Sequence, residues 1–206
     1  MTEKDFRELV RSYQKKGLRF IPAVYTALEK AIAEDESKPH AKFACGAGCS
    51  QCCYQAVTCT EAEFLEIARH IDSLPKKERS RLMNLAHERS KEVQKHLEET
   101  SIAGTIATSV EEVKFINSFT DYKPCPFLQA DGRCGIYPVR PIDCRTFHST
   151  SICQSLHWPD AKRYVPECES WANSMILEHA RPMYVQLVHT WFLQWRMWIK
   201  DQKTRR

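Results

Sequence analysis

Four thiols, Cys45, Cys49, Cys52 and Cys53, fall within the short stretch Phe43-Ala44-Cys45-Gly46-Ala47-Gly48-Cys49-Ser50-Gln51-Cys52-Cys53. Glycine lets such a loop fold back tightly, so several sulfurs can face one point. A second set lies downstream in Cys125-Pro126-Phe127-Leu128, Gly132-Arg133-Cys134 and Arg140-Pro141-Ile142-Asp143-Cys144-Arg145. The expectation is that both sets close around metal, because thiolate sulfur suits zinc and iron in tetrahedral sites.

Composition supports ligands over cross-links. The N-terminus, Met1-Thr2-Glu3-Lys4-Asp5, lacks the basic and apolar regions of a signal peptide. A cytoplasmic location is therefore expected, where thiols stay reduced and ten cysteines read as metal ligands. No apolar run is long enough to span a bilayer. The formal charge of +4 is mild and shows no basic stripe interleaved with aromatics, so nucleic acid is not an expected partner. A redox or protein partner is expected, of unknown identity.

The chain reads as mainly α: a single helical domain over residues 1–206, with a cysteine-rich metal-binding insert containing a short β-hairpin. Residues 1–39 carry N-terminal helices and 60–122 a helical insert. Residues 40–59 and 123–168 hold the metal site, and 169–200 the C-terminal helices. One helix covers Thr2 to Lys16 and ends at Gly17; another begins near Pro22, with Glu34 to His40 as a linker. Thr60 and Glu63 form a capping box for a helix that stops before Pro75. Lys76 to Glu99 reads as a charged outer helix, and Ser109 with Glu112 starts another. Asp131-Gly132 marks a hairpin turn, and Pro141 opens a short helix through Cys144. Ser149 to Pro166 reads as irregular. Beyond a break at Arg181-Pro182, Met183, Leu187, Trp191, Trp195 and Trp198 form a helical aromatic face, expected to be core.

The candidate ligands are Cys45, Cys49, Cys52, Cys53, Cys125, Cys134 and Cys144, with Cys153, Cys168 and His148 as further candidates. Cys59 abuts a helix cap and reads as core. Neighbouring side chains in an extended segment point apart, so Cys52 and Cys53 share one metal only where the backbone bends. Four thiolates around zinc or an oxidised 4Fe–4S core leave about two negative charges. Arg140 and Arg145 lie beside the downstream cysteines, placed to offset that charge and to donate hydrogen bonds to sulfur. No pair of acid–base groups or activated nucleophile stands out, so catalytic residues are unknown.

In order and wording these motifs resemble the YkgJ-type cysteine-cluster family, also described as a zinc- or iron-chelating domain, over residues 43 to about 150. The resemblance implies chelation by the seven cysteines named first. Flagellin lysine N-methylases, which contain a similar signature, are linked to an iron–sulfur cluster, but this chain shows no glycine-rich loop for S-adenosylmethionine. Cys45-xxx-Cys49-xx-Cys52 also has the spacing of the radical S-adenosylmethionine motif. Those enzymes need repeated βα units, which the helical pattern here does not offer. The expected cofactor is an iron–sulfur cluster (4Fe–4S) or zinc, with electron transfer or an accessory role as one function and a structural zinc module as the other.

Overall fold

The computed structural model describes residues 1–38, 43–46, 48–55, 57–99, 124–153, 163–179, 185–188 and 191–195. The expected helix starting at Ser109 lies outside them, as do Met183 and Trp198 of the aromatic face. The described chain is mostly helical. Its helices are α1 (Glu3–Lys15), α2 (Phe20–Glu36), α3 (Glu61–Ser73), α4 (Lys76–Glu99), α5 (Ile142–Thr146) and α6 (Glu167–His179). Residues 191–195 are helical again. No described helix is long and apolar enough to cross a membrane.

Local chemistry explains the boundaries. Thr2 and Asp5 form a capping box at the start of α1, and Thr60 and Glu63 form the one expected at α3. Gly17, at φ +94, turns the chain out of α1. Helix α2 begins at Phe20, with Pro22 inside its first turn, and runs on through Glu36 into the segment expected to be linker.

Two apolar clusters form. The first packs Phe6 and Val10 of α1, Val24 and Leu28 of α2, Ile142 of α5, and Ala172 and Ile176 of α6. The second packs Ile67 and Ile71 of α3 and Leu82 and Ala86 of α4 against Phe127, Ile136, Trp191 and Phe192. Trp191 is 8% exposed and donates its indole N–H to the Cys59 carbonyl at 2.9 Å, so the aromatic face is core here, as is Cys59.

Three expectations change. Val185–Leu187 was expected within a helix but is a strand, β4, paired antiparallel with β1 (Thr58–Thr60). The β1 edge offers backbone donors and acceptors, and pairing with them outweighs the helical period of a short segment. His148–Ser149 (β2) pairs with Arg163–Tyr164 (β3) inside the stretch expected to be irregular. The hairpin at Asp131-Gly132 narrows to one bridge, Leu128 with Cys134, closed by Gly132 at φ +79. Gly135 follows because a Cβ there would meet Leu82 Cδ1 at 2.8 Å and the Phe127 carbonyl oxygen at 3.2 Å.

Glu63 links the two clusters. It is 4% exposed, and each of its oxygens accepts two hydrogen bonds. Oε2 takes the Thr60 N–H and hydroxyl, at 2.9 and 3.0 Å. Oε1 takes the Tyr25 hydroxyl at 3.2 Å and the Ile142 N–H at 2.9 Å. An amide supplies two donors where only acceptors fit. Glu63→Gln is therefore expected to cost about 2–4 kcal/mol, read as a lower urea midpoint with an unchanged slope.

Candidate metal centre

The two cysteine sets meet through the backbone before they meet through sulfur. The Cys125 N–H donates to the Cys53 carbonyl at 2.6 Å. Gly48, at φ +88, turns the first loop so that its carbonyl oxygen lies 3.6 Å from where a Cβ on Gly132 would stand. The loop therefore rests on the turn that precedes Cys134.

Cys52 and Cys53 sit on a single 3-10 turn, Gln51–Tyr54. That is the bend an adjacent pair needs to act together, and the Cys53 thiol hydrogen-bonds the Cys52 sulfur. Cys144 arrives on α5, whose first turn follows Pro141. Two residues apart on a helix, Ile142 and Cys144 point to different sides. Ile142 enters the first apolar cluster, while Cys144 packs with Cys125 and Cys134 against the second. The Asp143 carboxylate ties this turn to β1, accepting from the Thr58 hydroxyl at 2.8 Å.

Exposure sorts the thiols into two groups, although the charge of Cys52 acts on both. Cys52, Cys53, Cys125, Cys134 and Cys144 are half-buried and feel one another's charge. Burial, reinforced by neighbouring thiols, pushes Cys125 up to about 12 and Cys144 well above its usual value. Burial also raises Cys134, although Arg140 and Arg145 oppose it. Cys52 is lowered to about 7 by the Cys53 hydrogen bond and then by Arg140. Cys45 and Cys49 are exposed instead and share a cavity of about 180 Å³ with Cys153. Strand β2 positions Cys45: the Ser149 N–H donates to its Sγ at 3.2 Å, and the Ser149 carbonyl accepts from Ala44 N–H at 2.7 Å.

All ten cysteines are free thiols. Among the described residues, no three Cys, His, Asp or Glu side chains already converge at metal-binding distance.

The donor set fits a thiophilic metal, and one orphaned atom fits an anionic one. Arg140 Nε is buried without a hydrogen-bond partner, while its charge acts on Cys52 and Cys134. Its guanidinium stacks on Tyr137 at 4.4 Å, leaving that N–H available to sulfur. Arg145 departs from expectation. Its Nε donates to the Arg140 carbonyl at 2.8 Å, one terminal nitrogen to the Pro138 carbonyl at 2.6 Å, and the other to Glu29. Its donors hold two backbone carbonyls and Glu29, and only its charge reaches sulfur.

Cys168 lies in the first apolar cluster, and the charges that act on it belong to Asp35, Glu167 and Glu169. The fold sets it apart from both sulfur groups. His148 is half-buried, edge-on to Phe43 at 4.2 Å, with Nδ1 buried and unpartnered. Burial, and then Arg140, hold it below its ordinary value. Sequence reasoning missed Arg89 of α4, which donates to the Cys125 and Leu128 carbonyls, both at 2.6 Å. Nothing distinguishes it from the other charged residues of that helix.

The raised thiols carry a pH consequence. Cys125, Cys134 and Cys144 hold their protons at neutral pH, so a metal must displace them. Cys53 is raised as well, so metal affinity falls steeply as pH drops, and more steeply below about pH 7 as Cys52 protonates too. Zinc affinity measured against a chelator at several pH values checks this, and proton release on binding checks the sign.

No curated protein and no solved structure matches the chain. A family model, the CxxCxxCC "Putative zinc- or iron-chelating domain", matches residues 44–171, a span that takes in both sulfur groups. The chain thus belongs to the CxxCxxCC family, and metal binding is the coarse function that membership carries.

Proposed function

We propose that the chain is an iron–sulfur protein, serving electron transfer or assisting a modifying enzyme through a redox or protein partner. Four of Cys52, Cys53, Cys125, Cys134 and Cys144 would hold a 4Fe–4S cluster. Bound there, the cluster would supply one-electron chemistry. The observation that carries this reading is the unpartnered Arg140 Nε–H, buried where its charge acts on Cys52 and Cys134. A buried donor left without a partner is costly, and a sulfur bearing cluster charge would satisfy it. The second cluster of apolar residues, against which Cys125, Cys134 and Cys144 pack, shields one side from water.

The test is anaerobic reconstitution with iron and sulfide. A brown protein with stoichiometric iron and sulfide supports the reading, and a colourless one sinks it. Arg140→Gln is then expected to lower the reduction potential, because removing a nearby positive charge disfavours the added electron. Potentiometric titration reads that shift.

A structural zinc ion is the second reading. What favours it is that the sulfurs join a 3-10 turn, a single-bridge hairpin and α5, elements otherwise held by few residues each. A colourless protein with tightly held zinc would select it.

A further inference from the structure

We infer that Arg89 of α4 is a positioning residue for the metal, clamping the turn that carries Cys125. The inference rests on metal binding at the cysteines, and not on whether that metal is an iron–sulfur cluster or zinc. One guanidinium nitrogen, Nη1, donates to two carbonyls, those of Cys125 and Leu128, both at 2.6 Å. These carbonyls mark the two ends of one turn, Cys125-Pro126-Phe127-Leu128. The Leu128 N–H also closes it, on the Cys125 carbonyl at 3.1 Å. Pro126 sets φ at the second position of that turn and brings no N–H of its own. Burial and then the charge of Cys134 push the Cys125 thiol up, and the Phe127 N–H and the charge of Arg89 oppose them. The clamp on the turn is therefore also a hold on the amide that faces the sulfur.

Cys125 is fixed from both sides. Its N–H donates to the Cys53 carbonyl at 2.6 Å, which ties it to the upstream cysteines, and its carbonyl accepts from Arg89, which ties it to a helix. That helix is a firm anchor. Leu82, Ala86 and Val93 recur with Arg89 at helical spacing and are all buried. Leu82 and Ala86 pack in the second cluster with Phe127 and Ile136, residues from either side of the Leu128–Cys134 bridge. Hydrogen bonds from a charged donor are stronger than neutral ones, and a ligand held in place before the ion arrives costs less to order on binding. Arg81, about two turns earlier, reaches the Gln129 side chain at 2.5 Å, just past the turn, and provides the control.

The experiment uses the full chain, stripped of metal under reducing conditions. Zinc affinity is measured by competition with a chromogenic chelator, beside the melting midpoint without metal. Arg89→Met keeps an apolar stem and removes the charge and both donors. It is expected to weaken zinc binding by roughly 10–100-fold, the usual cost of losing a group that orients a metal ligand. Arg89→Gln, uncharged and shorter, is measured beside it and should fall with it, so the test stands where the methionine variant does not fold. Arg89→Lys keeps the charge and offers several donors on one nitrogen, and should recover most of the affinity. Arg81→Met should bind zinc as the wild type does. Wild-type affinity in Arg89→Met or Arg89→Gln would overturn the inference whatever their melting midpoints, since Arg89 would then serve packing alone. So would a lysine variant as weak as the glutamine variant, or equal weakening on replacing Arg81. Colour on reconstitution with iron and sulfide bears on the iron–sulfur reading and leaves these zinc affinities to decide the role of Arg89.

Discussion

Replacing Cys52 or Cys134 with serine is expected to lose metal from the half-buried thiols and to erase the stability that metal confers. The two residues come from opposite ends of the sulfur constellation, one on the 3-10 turn Gln51–Tyr54 and the other at the bridge to Leu128. A serine hydroxyl is a hard donor that keeps its proton at neutral pH, so it does not replace thiolate on zinc or iron. Structural zinc sites supply roughly 10–16 kcal/mol of apparent binding free energy, all of it linked to folding. Each variant measured with metal should therefore melt where the wild-type chain melts without it.

Cys168→Ser is the control for that experiment. Its thiol is buried among α1, α2 and α6, away from both sulfur groups. It should lose a little stability with and without metal alike, and keep the metal-dependent increment. Unchanged metal content in both Cys52→Ser and Cys134→Ser would contradict a centre shared by the two cysteine sets.

Much of this fold was legible because its signals are local. The Thr60–Glu63 capping box is a short-range pattern, and it stands where it was expected. The same holds for the turn at Gly132 and the short helix after Pro141. What escaped is non-local. Strand β4 is three residues long, and only its partner β1, far back in the chain, makes it a strand. No pattern within residues 185–187 announces that pairing.

The division of the sulfurs was equally hidden. Spacing groups Cys45 and Cys49 with Cys52 and Cys53, because all four share one loop. The fold separates them: the 3-10 turn carries the second pair inward, while the turn at Gly48 leaves the first pair exposed. Adjacency also misled for Arg145. A cation next to Cys144 suggests a bond to sulfur, but which way a side chain leaves a short helix depends on what packs beside it. Here α2 offers Tyr25 and Glu29, and the guanidinium turns to them.

That orientation makes Arg145 the side chain whose loss should do most damage outside the sulfurs themselves. It is 2% exposed and lies over the Tyr25 ring at 4.1 Å, while its fork reaches the Pro138 and Arg140 carbonyls and Glu29. Those carbonyls belong to the turn that leads into Cys144. Arg145→Ala removes three hydrogen bonds and the stacked stem, an expected cost of about 3 kcal/mol in the metal-free chain. For a chain of this size that lowers the melting midpoint by roughly 6–12 °C. Arg145→Lys decides what the residue does for the metal. An ammonium restores the charge felt at Cys134 but cannot span two carbonyls and a carboxylate lying in different directions. If Arg145 works by bracing the turn, the lysine variant stays destabilised and binds zinc more weakly than wild type. Wild-type zinc affinity in the lysine variant would instead show that charge alone is its contribution.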